Sequence, residues 1–328
     1  MKLTRTITGT ALITVLLATS VGVVAMRGGP AAPGGDSLRL EREDSVVYVD
    51  AGSNRVHQVT REGESIGQGP ICQRAAVAAG TLACLFDTPA PASSQMRIYR
   101  HGTASPDTSL VLWGEPSRTR VSPSGRLVAW TVFRSGDSYV QHGAFSTTTG
   151  IYDLRTKAHY GSLEDFTAYV GGKPFKRDDI NYWGITFTDD DRHFYATMSA
   201  AGKTRLMRGD LRTRRLTALR GNVECPSLSP DGTRIAYKKR SGDRWRLHVL
   251  NLRWGTDTVL AERDSIDDQA AWLDDTTVAY AKPEGRRPAV YTVPADGSGT
   301  PTKLLDGRSP TAITKDAGAK PPTESGRP

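Results

Sequence analysis

The chain has 328 residues, of which 38% are hydrophobic and 24% are charged, and its formal net charge is +8. This composition excludes a wholly disordered chain and is sufficient for a folded body with a sizeable core. The 33 glycines and 19 prolines are dispersed through the sequence, which favours many short turns over long helices and predicts an all-β protein.

The N-terminus carries a hydrophobic targeting segment. Lys2 and Arg5 precede an uncharged run from Ile7 to Ala25, which is long enough to span a bilayer. The small residues at its end also permit cleavage near Ala25, so a signal peptide and a signal anchor over residues 1–26 both stay open. Either form predicts an extracytoplasmic protein, membrane-anchored or secreted, because the positive charges keep the N-terminus inside.

Two further segments differ in composition from the main body. Residues 27–37 (RGGPAAPGGDS) predict a flexible spacer, and residues 315–328 predict a disordered tail. The folded domain is therefore expected over residues 38–314.

An internal repeat is the main feature of this domain. One copy contains Ser229-Pro230-Asp231-Gly232 followed by an alternating, strand-like stretch. In such a turn proline presets the backbone, aspartate caps through its side chain and glycine takes the left-handed position. Clear or degenerate copies lie at 75–84, 121–130, 187–196, 228–237 and 272–280.

The spacing of the copies indicates the architecture. Most are about forty residues apart, and each is followed by two more strand-like stretches, such as Leu247–Asn251 and Thr258–Leu260. Four short strands in about forty residues is the period of a propeller blade, which covers its apolar faces by stacking on its neighbours.

The repeats resemble the TolB-type, WD-like propeller repeat of exported bacterial proteins. The resemblance is carried by Leu228–Tyr237, Val121–Trp130, Trp272–Tyr280, Tyr291–Gly297 and Val46–Gly52. It implies a six-bladed β-propeller with four-stranded blades.

The two ends of the domain supply the sixth blade. The five copies give five blades, and Val46–Thr60 adds two outer strands before the first copy. Ser309–Thr314 offers their inner strand, so we expect the C-terminal strand to pair with N-terminal ones, which removes exposed sheet edges.

The sequence offers little for catalysis. Gly63–Gly67 spells a G-x-S-x-G nucleophile elbow, but no helix is expected after it, and an inter-blade loop is the better interpretation. The six histidines are isolated, and Asp189–Asp191 and Asp267–Asp268, which could bind calcium, fall in predicted turns. We therefore expect no enzyme, no catalytic residue, no cofactor and no metal.

Three cysteines occur in a chain predicted to meet an oxidising compartment. In the frame of the repeat, Cys72 and Cys84 lie nearly opposite each other on the first two strands of a blade. This predicts a cross-strand disulfide, with two reduced buried cysteines as the alternative. Cys225 is expected to remain a buried thiol.

The charges are unevenly distributed. Residues 201–255 hold fourteen Lys or Arg against four Asp or Glu, whereas residues 256–300 hold four against nine. The basic stretch could face an anionic envelope polymer, lipid headgroups or an acidic protein, or it could be an ordinary solvated surface. Export argues against nucleic acid as a partner.

One step of the repeat is about 25 residues longer than its neighbour and contains two insertions, 134–150 and 164–180. Both are expected on one face, near the mouth of the central channel. Loops on a rigid scaffold often bind partners, and aromatic residues are favoured anchors, although such aromatics can also pack on their own blade. The candidate partner-binding residues are Tyr139, His142, Phe145, Phe166, Tyr169 and Phe175.

The sequence thus predicts a non-catalytic, extracytoplasmic binding or scaffold protein. It is expected to act as a monomer that captures a protein or peptide of the cell envelope. The alternative is a propeller hydrolase or lyase that acts on envelope glycan or peptide at the central channel.

Overall fold

The computed structural model describes residues 37–90, 93–102, 104–134 and 146–314. These residues form six sheets, which are antiparallel apart from one parallel strand pair in the fourth, and the innermost strand of each sheet contacts the innermost strand of the next around a closed ring. The predicted six-bladed, all-β propeller is therefore confirmed. Within the described ranges, no helix is long and apolar enough to cross a membrane.

Blade 1 closes the ring with strands from both ends of the domain. The innermost strand, β26 (Gly307–Ile313), pairs with β1 (Ser45–Asp50), and β2 (Arg55–Thr60) and β3 (Ser65–Ile71) follow outward. This is the closure predicted from the sequence. The Gly63–Gly67 stretch proves to be the start of β3 and the turn before it, rather than an inter-blade loop.

The other blades each take four consecutive strands, called a to d from the axis outward. Blade 2 consists of β4 (Arg74–Ala78), β5 (Thr81–Asp87), β6 (Ser93–Arg100) and β7 (Thr108–Trp113). Blade 3 consists of β8 (Glu115–Val121), β9 (Leu127–Arg134), β10 (Ser146–Asp153) and β11 (His159–Tyr160).

The second half of the ring has the same plan. Blade 4 contains β14 (Asn181–Phe187), β15 (His193–Ala200), β16 (Lys203–Asp210) and β17 (Arg215–Gly221). Blade 5 contains β18 (Glu224–Leu228), β19 (Arg234–Ser241), β20 (Arg244–Asn251) and β21 (Asp257–Val259). Blade 6 contains β22 (Ala271–Trp272), β23 (Thr277–Glu284), β24 (Arg287–Pro294) and β25 (Thr302–Leu305).

Blade 4 is enlarged by the second insertion. After a short 3-10 helix, Leu163–Asp165, the chain forms a hairpin of β12 (Thr167–Val170) and β13 (Lys173–Phe175). Strand β12 pairs in parallel with β17, the outermost strand of the blade. The insertion therefore extends the rim of the ring and does not reach the channel mouth, where it was expected.

The alternation of strand direction gives the ring two different faces. The a-to-b and c-to-d connections lie on one face, here called the turn face. The b-to-c and d-to-a connections lie on the other, here called the loop face.

The repeated turn has the role that the sequence predicted. Gly232, with φ of +69°, donates its N–H to the carbonyl oxygen of Ser229 at 2.9 Å. Asp231 accepts hydrogen bonds from the Ser229 hydroxyl at 2.5 Å and the Thr233 N–H at 3.0 Å. These local bonds fix the register of strands a and b.

Turns also connect neighbouring blades. The Ser122 and Ser124 hydroxyls of blade 3 donate to Asp191 of blade 4 at 2.9 and 2.6 Å. Arg61 of blade 1 pairs with Asp274 of blade 6 at 2.9 Å. Aspartates in these turns, including one that the sequence offered as a calcium ligand, are therefore already held by donors of the protein.

Candidate functional site: an arginine-lined channel mouth

The axis of the propeller is lined by positive side chains. Arg74 lies on β4, Arg118 and Arg120 lie on β8, and all three line one narrow cavity together with Asp268, Gln269 and residues 309–311 of β26. These are innermost strands of blades 2, 3 and 1. Ring closure therefore brings together arginines that are distant in the sequence.

Arg118 and Arg120 are held by backbone carbonyl groups. Arg118 donates from Nη1 to the Ser117 oxygen at 2.8 Å and from Nη2 to the Asp267 oxygen at 3.2 Å. Arg120 donates from Nη2 to the Ala270 oxygen at 3.2 Å. The buried Nε atoms of both arginines have no hydrogen-bond partner within the described residues. Part of the donor capacity of these guanidinium groups is thus unused within the described residues.

Arg74 is less constrained. Its guanidinium makes no hydrogen bond and has no carboxylate within 4.0 Å in the part of the chain that the structure describes. Burial, with the repulsion of the nearby Arg118, lowers its pKa to about 10. Burial likewise lowers the pKa of Arg120 to about 10. Both groups still carry their charge at neutral pH.

Acidic groups at the axis compensate only part of this charge. Asp267 pairs with Lys238 at 2.5 Å and lies 3.9 Å from Nη2 of Arg118. Burial lowers the pKa of Arg118, but Cys225, Asp268 and Asp267 outweigh this effect and raise it overall. Asp268 accepts the backbone N–H of Ala281 at 2.9 Å. The carboxylates are thus committed to this protein's own donors, and Arg74 is left without one.

Arg74 lies where two cavities meet. The narrow one, on the axis, has a volume of about 20 Å³, which is room for about one water molecule. The wider one opens on the loop face, has a volume of about 340 Å³ and is lined by Gln73, Asp87, Glu115, Pro116 and Arg308 in addition to Arg74. A side chain or chain terminus can enter this mouth, but nothing larger than water fits beyond Arg74.

Arg308 fixes one wall of the mouth. It donates from Nε to the Gln73 oxygen at 2.8 Å and from Nη2 to Asn54 Oδ1 at 2.5 Å. Gln73 in turn donates to the carboxylate of Asp87. This network holds the closure strand β26 against blade 2, so the mouth is preformed.

The predicted cysteine pair is present. Cys72 and Cys84 form a disulfide with a Cα–Cα distance of 5.4 Å, and Cys225 is a buried free thiol. Cys72 precedes β4 and Cys84 lies on β5, so the bond ties the connection between blades 1 and 2 to the interior of blade 2. It lies beside the mouth, because Gln73 and Arg74 follow Cys72 directly.

The predicted aromatic partner site is not assembled as expected. Phe166 is only 6% exposed and contacts the rings of Tyr160 and Phe194, so it belongs to the core. Tyr169 and Phe175 lie on the rim hairpin, each with an arginine over its ring. The hairpin pairs with the outer strand of blade 4, which takes these residues away from the axis. Tyr139, His142 and Phe145 lie outside the described residues.

The basic stretch 201–255 does not correspond to one blade. It contains the outer half of blade 4 and most of blade 5. Within the described ranges, no group of three or more His, Cys, Asp or Glu side chains could hold a metal ion.

The channel arginines belong to no recognisable sequence motif. The local signal is the pair Arg118 and Arg120 directly before the repeat copy at 121–130, because charged residues are unusual on a buried innermost strand. Recognising it required knowing that β8 is an innermost strand.

Comparisons with known proteins agree with the fold. No protein-family profile matches the sequence, and no curated protein matches it. Among solved structures, TolB from Acinetobacter baumannii is similar over 83% of this chain and 67% of its own, with a TM-score of 0.59 and 18% identity. At this identity the likeness shows the fold, a TolB-like β-propeller, and not the function.

Two further solved structures are similar at lower scores. Hydrazine synthase from Kuenenia stuttgartiensis has a TM-score of 0.49 and 12% identity, over 80% of this chain and 79% of its own. A TolB-type protein from Agrobacterium tumefaciens has a TM-score of 0.44 and 13% identity, over 84% and 92%.

Proposed function

We propose that this protein is a non-catalytic, extracytoplasmic binding protein that captures a protein or peptide of the cell envelope at the loop-face mouth. The partner inserts an anionic group, either an acidic side chain or a C-terminal carboxylate, into the mouth as far as Arg74, with the arginines of β8 lying beyond it. The observation that carries this proposal is Arg74, a cation without a carboxylate partner in the described chain, at the junction of the two cavities.

The electrostatics of the site support an anionic ligand group. Arg74, Arg118 and Arg120 are close enough for Arg118 to lower the pKa of both others. Like charges in a partly buried site repel strongly, and a carboxylate beside Arg74 reduces this cost. Guanidinium groups also match a carboxylate through two parallel hydrogen bonds.

The dimensions of the site support a macromolecular partner. A volume of about 340 Å³ accepts one or two side chains, whereas the narrow axial cavity prevents deeper entry. The remainder of a partner must then lie on the loop face. Both flanks of the first insertion, Arg134 and Ser146, are on that face. The extracytoplasmic placement rests on the uncharged segment Ile7–Ala25.

An enzyme is the second candidate, a hydrolase or lyase acting on envelope glycan or peptide. The feature that favours it is the pair Asp267 and Asp268 at the axis, since two carboxylates can supply an acid and a base. Against it, Asp267 is paired with Lys238 and Asp268 binds a backbone N–H. Incubating the purified protein with envelope glycan and peptide fragments and finding a released product would favour the enzyme.

The binding proposal is tested by photocrosslinking in living cells. A photoreactive amino acid replaces Glu115, which lines the mouth, in the otherwise wild-type chain and in the Arg74→Gln and Arg240→Gln variants. Arg240 is an exposed arginine stacked on Trp245, outside the mouth, and is the matched control. We expect a discrete adduct in the wild type and the control that is lost in Arg74→Gln.

The affinity for the recovered partner gives the quantitative test. Loss of a charge-assisted hydrogen bond should weaken binding by about tenfold to 100-fold in Arg74→Gln. Equal adduct yields in all three chains would disprove capture at this mouth. A partner whose binding does not depend on any acidic side chain or terminal carboxylate would disprove the role of the arginines.

A further inference from the structure

Three consecutive blades carry the same turn between strands c and d, and all three turns lie on the turn face. In each turn, the side-chain oxygen of an Asp or Asn accepts the backbone N–H of an arginine two residues later, at 2.9, 2.9 and 3.0 Å. The turns are Asp153-Leu154-Arg155, Asp210-Leu211-Arg212 and Asn251-Leu252-Arg253 in blades 3, 4 and 5. They are called the Asx-Leu-Arg turns below.

The geometry exposes the arginine of each turn. Leu154 and Leu211 point into the core and are buried, whereas Arg155, Arg212 and Arg253 are exposed. Because the turns occupy equivalent positions of neighbouring blades, the three arginines follow an arc along the rim of the turn face.

The acidic residues of these turns do not neutralise the exposed arginines. Asp153 forms an ion pair with Arg126 of its own blade, with a distance of 2.9 Å between Arg126 Nε and Asp153 Oδ1. Asp210 is paired with Arg192 in the same way, also at 2.9 Å. Asn251 is uncharged. No carboxylate in the described chain lies within 4.0 Å of the three exposed arginine side chains.

Other residues of the turns add to this surface. Lys157 and Arg214 are exposed in the turns of blades 3 and 4. Trp254 is 68% exposed, and the Arg253 guanidinium lies 4.5 Å from its ring centroid. The corresponding positions of the other half of the ring hold Asp296, Glu62 and Gly102 in blades 6, 1 and 2. At this position of the c-to-d turn, blades 3 to 5 are thus basic, whereas blades 6, 1 and 2 are acidic or neutral.

We propose that the Asx-Leu-Arg turns of blades 3 to 5 dock the propeller on an anionic lipid bilayer surface. The cations project from separate turns along an arc, so a plane of headgroups can meet all of them at once. Basic residues near an anionic leaflet are attracted to it, and an exposed tryptophan such as Trp254 favours the interface between headgroups and water. An acidic protein is the competing occupant. The inference rests on the proposed extracytoplasmic placement.

The test uses the full chain with vesicles of phosphatidylcholine, with and without phosphatidylglycerol. Hydrogen exchange of the three turns reports docking whether or not the N-terminal segment is inserted. We expect protection of residues 153–157, 210–214 and 251–255 with phosphatidylglycerol only. Protection should disappear at high salt. The triple variant Arg155→Gln/Arg212→Gln/Arg253→Gln should need more anionic lipid for half-protection, by about fivefold per arginine and about 100-fold in total.

The matched control removes three exposed arginines elsewhere: Arg208→Gln/Arg240→Gln/Arg244→Gln. It has the same net charge as the triple variant and should behave like the wild type. Equal protection with both kinds of vesicle, or equal losses in both variants, would overturn the proposal. Protection by a polyglutamate peptide but not by vesicles would assign the surface to an acidic protein instead. The triple variant should still form the Glu115 adduct, so failure here is distinguishable from failure of partner capture.

Discussion

Removal of the Cys72–Cys84 disulfide should destabilise the propeller measurably. The two cysteines are twelve residues apart, and the loop-closure entropy for a loop of that length corresponds to about 3 kcal/mol at 25 °C. For a domain of about 280 residues, with an unfolding entropy of about 2 cal/mol/K per residue, this predicts a decrease in Tm of about 5 °C. The perturbation is Cys72→Ala/Cys84→Ala.

The assay is thermal and urea unfolding of the wild type and the double variant, each with and without reductant. Reductant should lower the Tm of the wild type to near that of the double variant and leave the variant unchanged. Thiol titration in denaturant without reductant should detect one thiol in the wild type, Cys225. Detection of three thiols would show that the disulfide is absent, and a Tm that depends on neither mutation nor reductant would show that it does not stabilise the fold.

Three further changes test the packing and the turns. Gly209→Ala should lower the free energy of unfolding in a urea titration by about 1–3 kcal/mol, because the new β-carbon would lie 2.1 Å from the Phe194 ring. Gly161→Ala is the control and should leave this free energy unchanged, because no atom lies within 4 Å of the position of its new β-carbon. Asp274→Asn breaks the ion pair with Arg61 between blades 6 and 1. It should lower the free energy of unfolding by about 0.5–1 kcal/mol, and by less at high salt, which screens the pair in the wild type. Asp231 has a pKa near 2, because hydrogen bonds from neighbouring hydroxyl and N–H groups outweigh its burial. The ionised Asp231 carboxylate therefore stabilises the fold above about pH 4, and this stabilisation is lost as the pH falls toward 2. Urea unfolding between pH 4.5 and 2.5 should show a smaller decrease in the free energy of unfolding for Asp231→Asn than for the wild type.

The ring could be predicted from the sequence because its information is local and repeated. The Ser-Pro-Asp-Gly turn sets the register of strands a and b, and each copy places the next. The closure strand was predictable because the first blade lacked an inner strand and one candidate remained near the C-terminus. Cys72 and Cys84 followed from the same register.

The channel mouth could not be predicted because its residues share no local pattern. Arg74 and Arg308 are more than 200 residues apart and become neighbours only through closure of the ring. Arg74 is also of interest because it has no carboxylate partner within the described residues. Whether an arginine is paired with a carboxylate depends on contacts between residues that are far apart in the sequence. Phe166 illustrates the opposite error. An aromatic residue in an insertion suggested an exposed binding surface. The hairpin that follows Phe166 instead extends blade 4, and the Phe166 side chain is buried in the core.

The Asx-Leu-Arg turns lie between these two cases. Each turn is visible in the sequence, but its meaning depends on three facts that only the fold provides: the turns are on one face, their blades are consecutive, and their aspartates are already paired with Arg126 and Arg192. The stretch 201–255 was noted for its net charge, yet the surface that the structure defines includes Arg155 and excludes the inward-facing Lys238. Summed charge is therefore a poor guide to a surface, and the position of each cation in the blade is a better one.

The two proposed sites have a geometric consequence for each other. The arginine-lined mouth opens on the loop face, and the Asx-Leu-Arg turns lie on the turn face, so the two sites are on opposite sides of the ring. A propeller docked through its turns would direct Arg74 away from the bilayer, toward partners in the aqueous compartment, and both sites could be occupied together. Partner binding should then be unaffected by anionic vesicles when measured with the full chain. A decrease in partner affinity on adding phosphatidylglycerol would show that the two anionic ligands compete for one surface, and would contradict this arrangement.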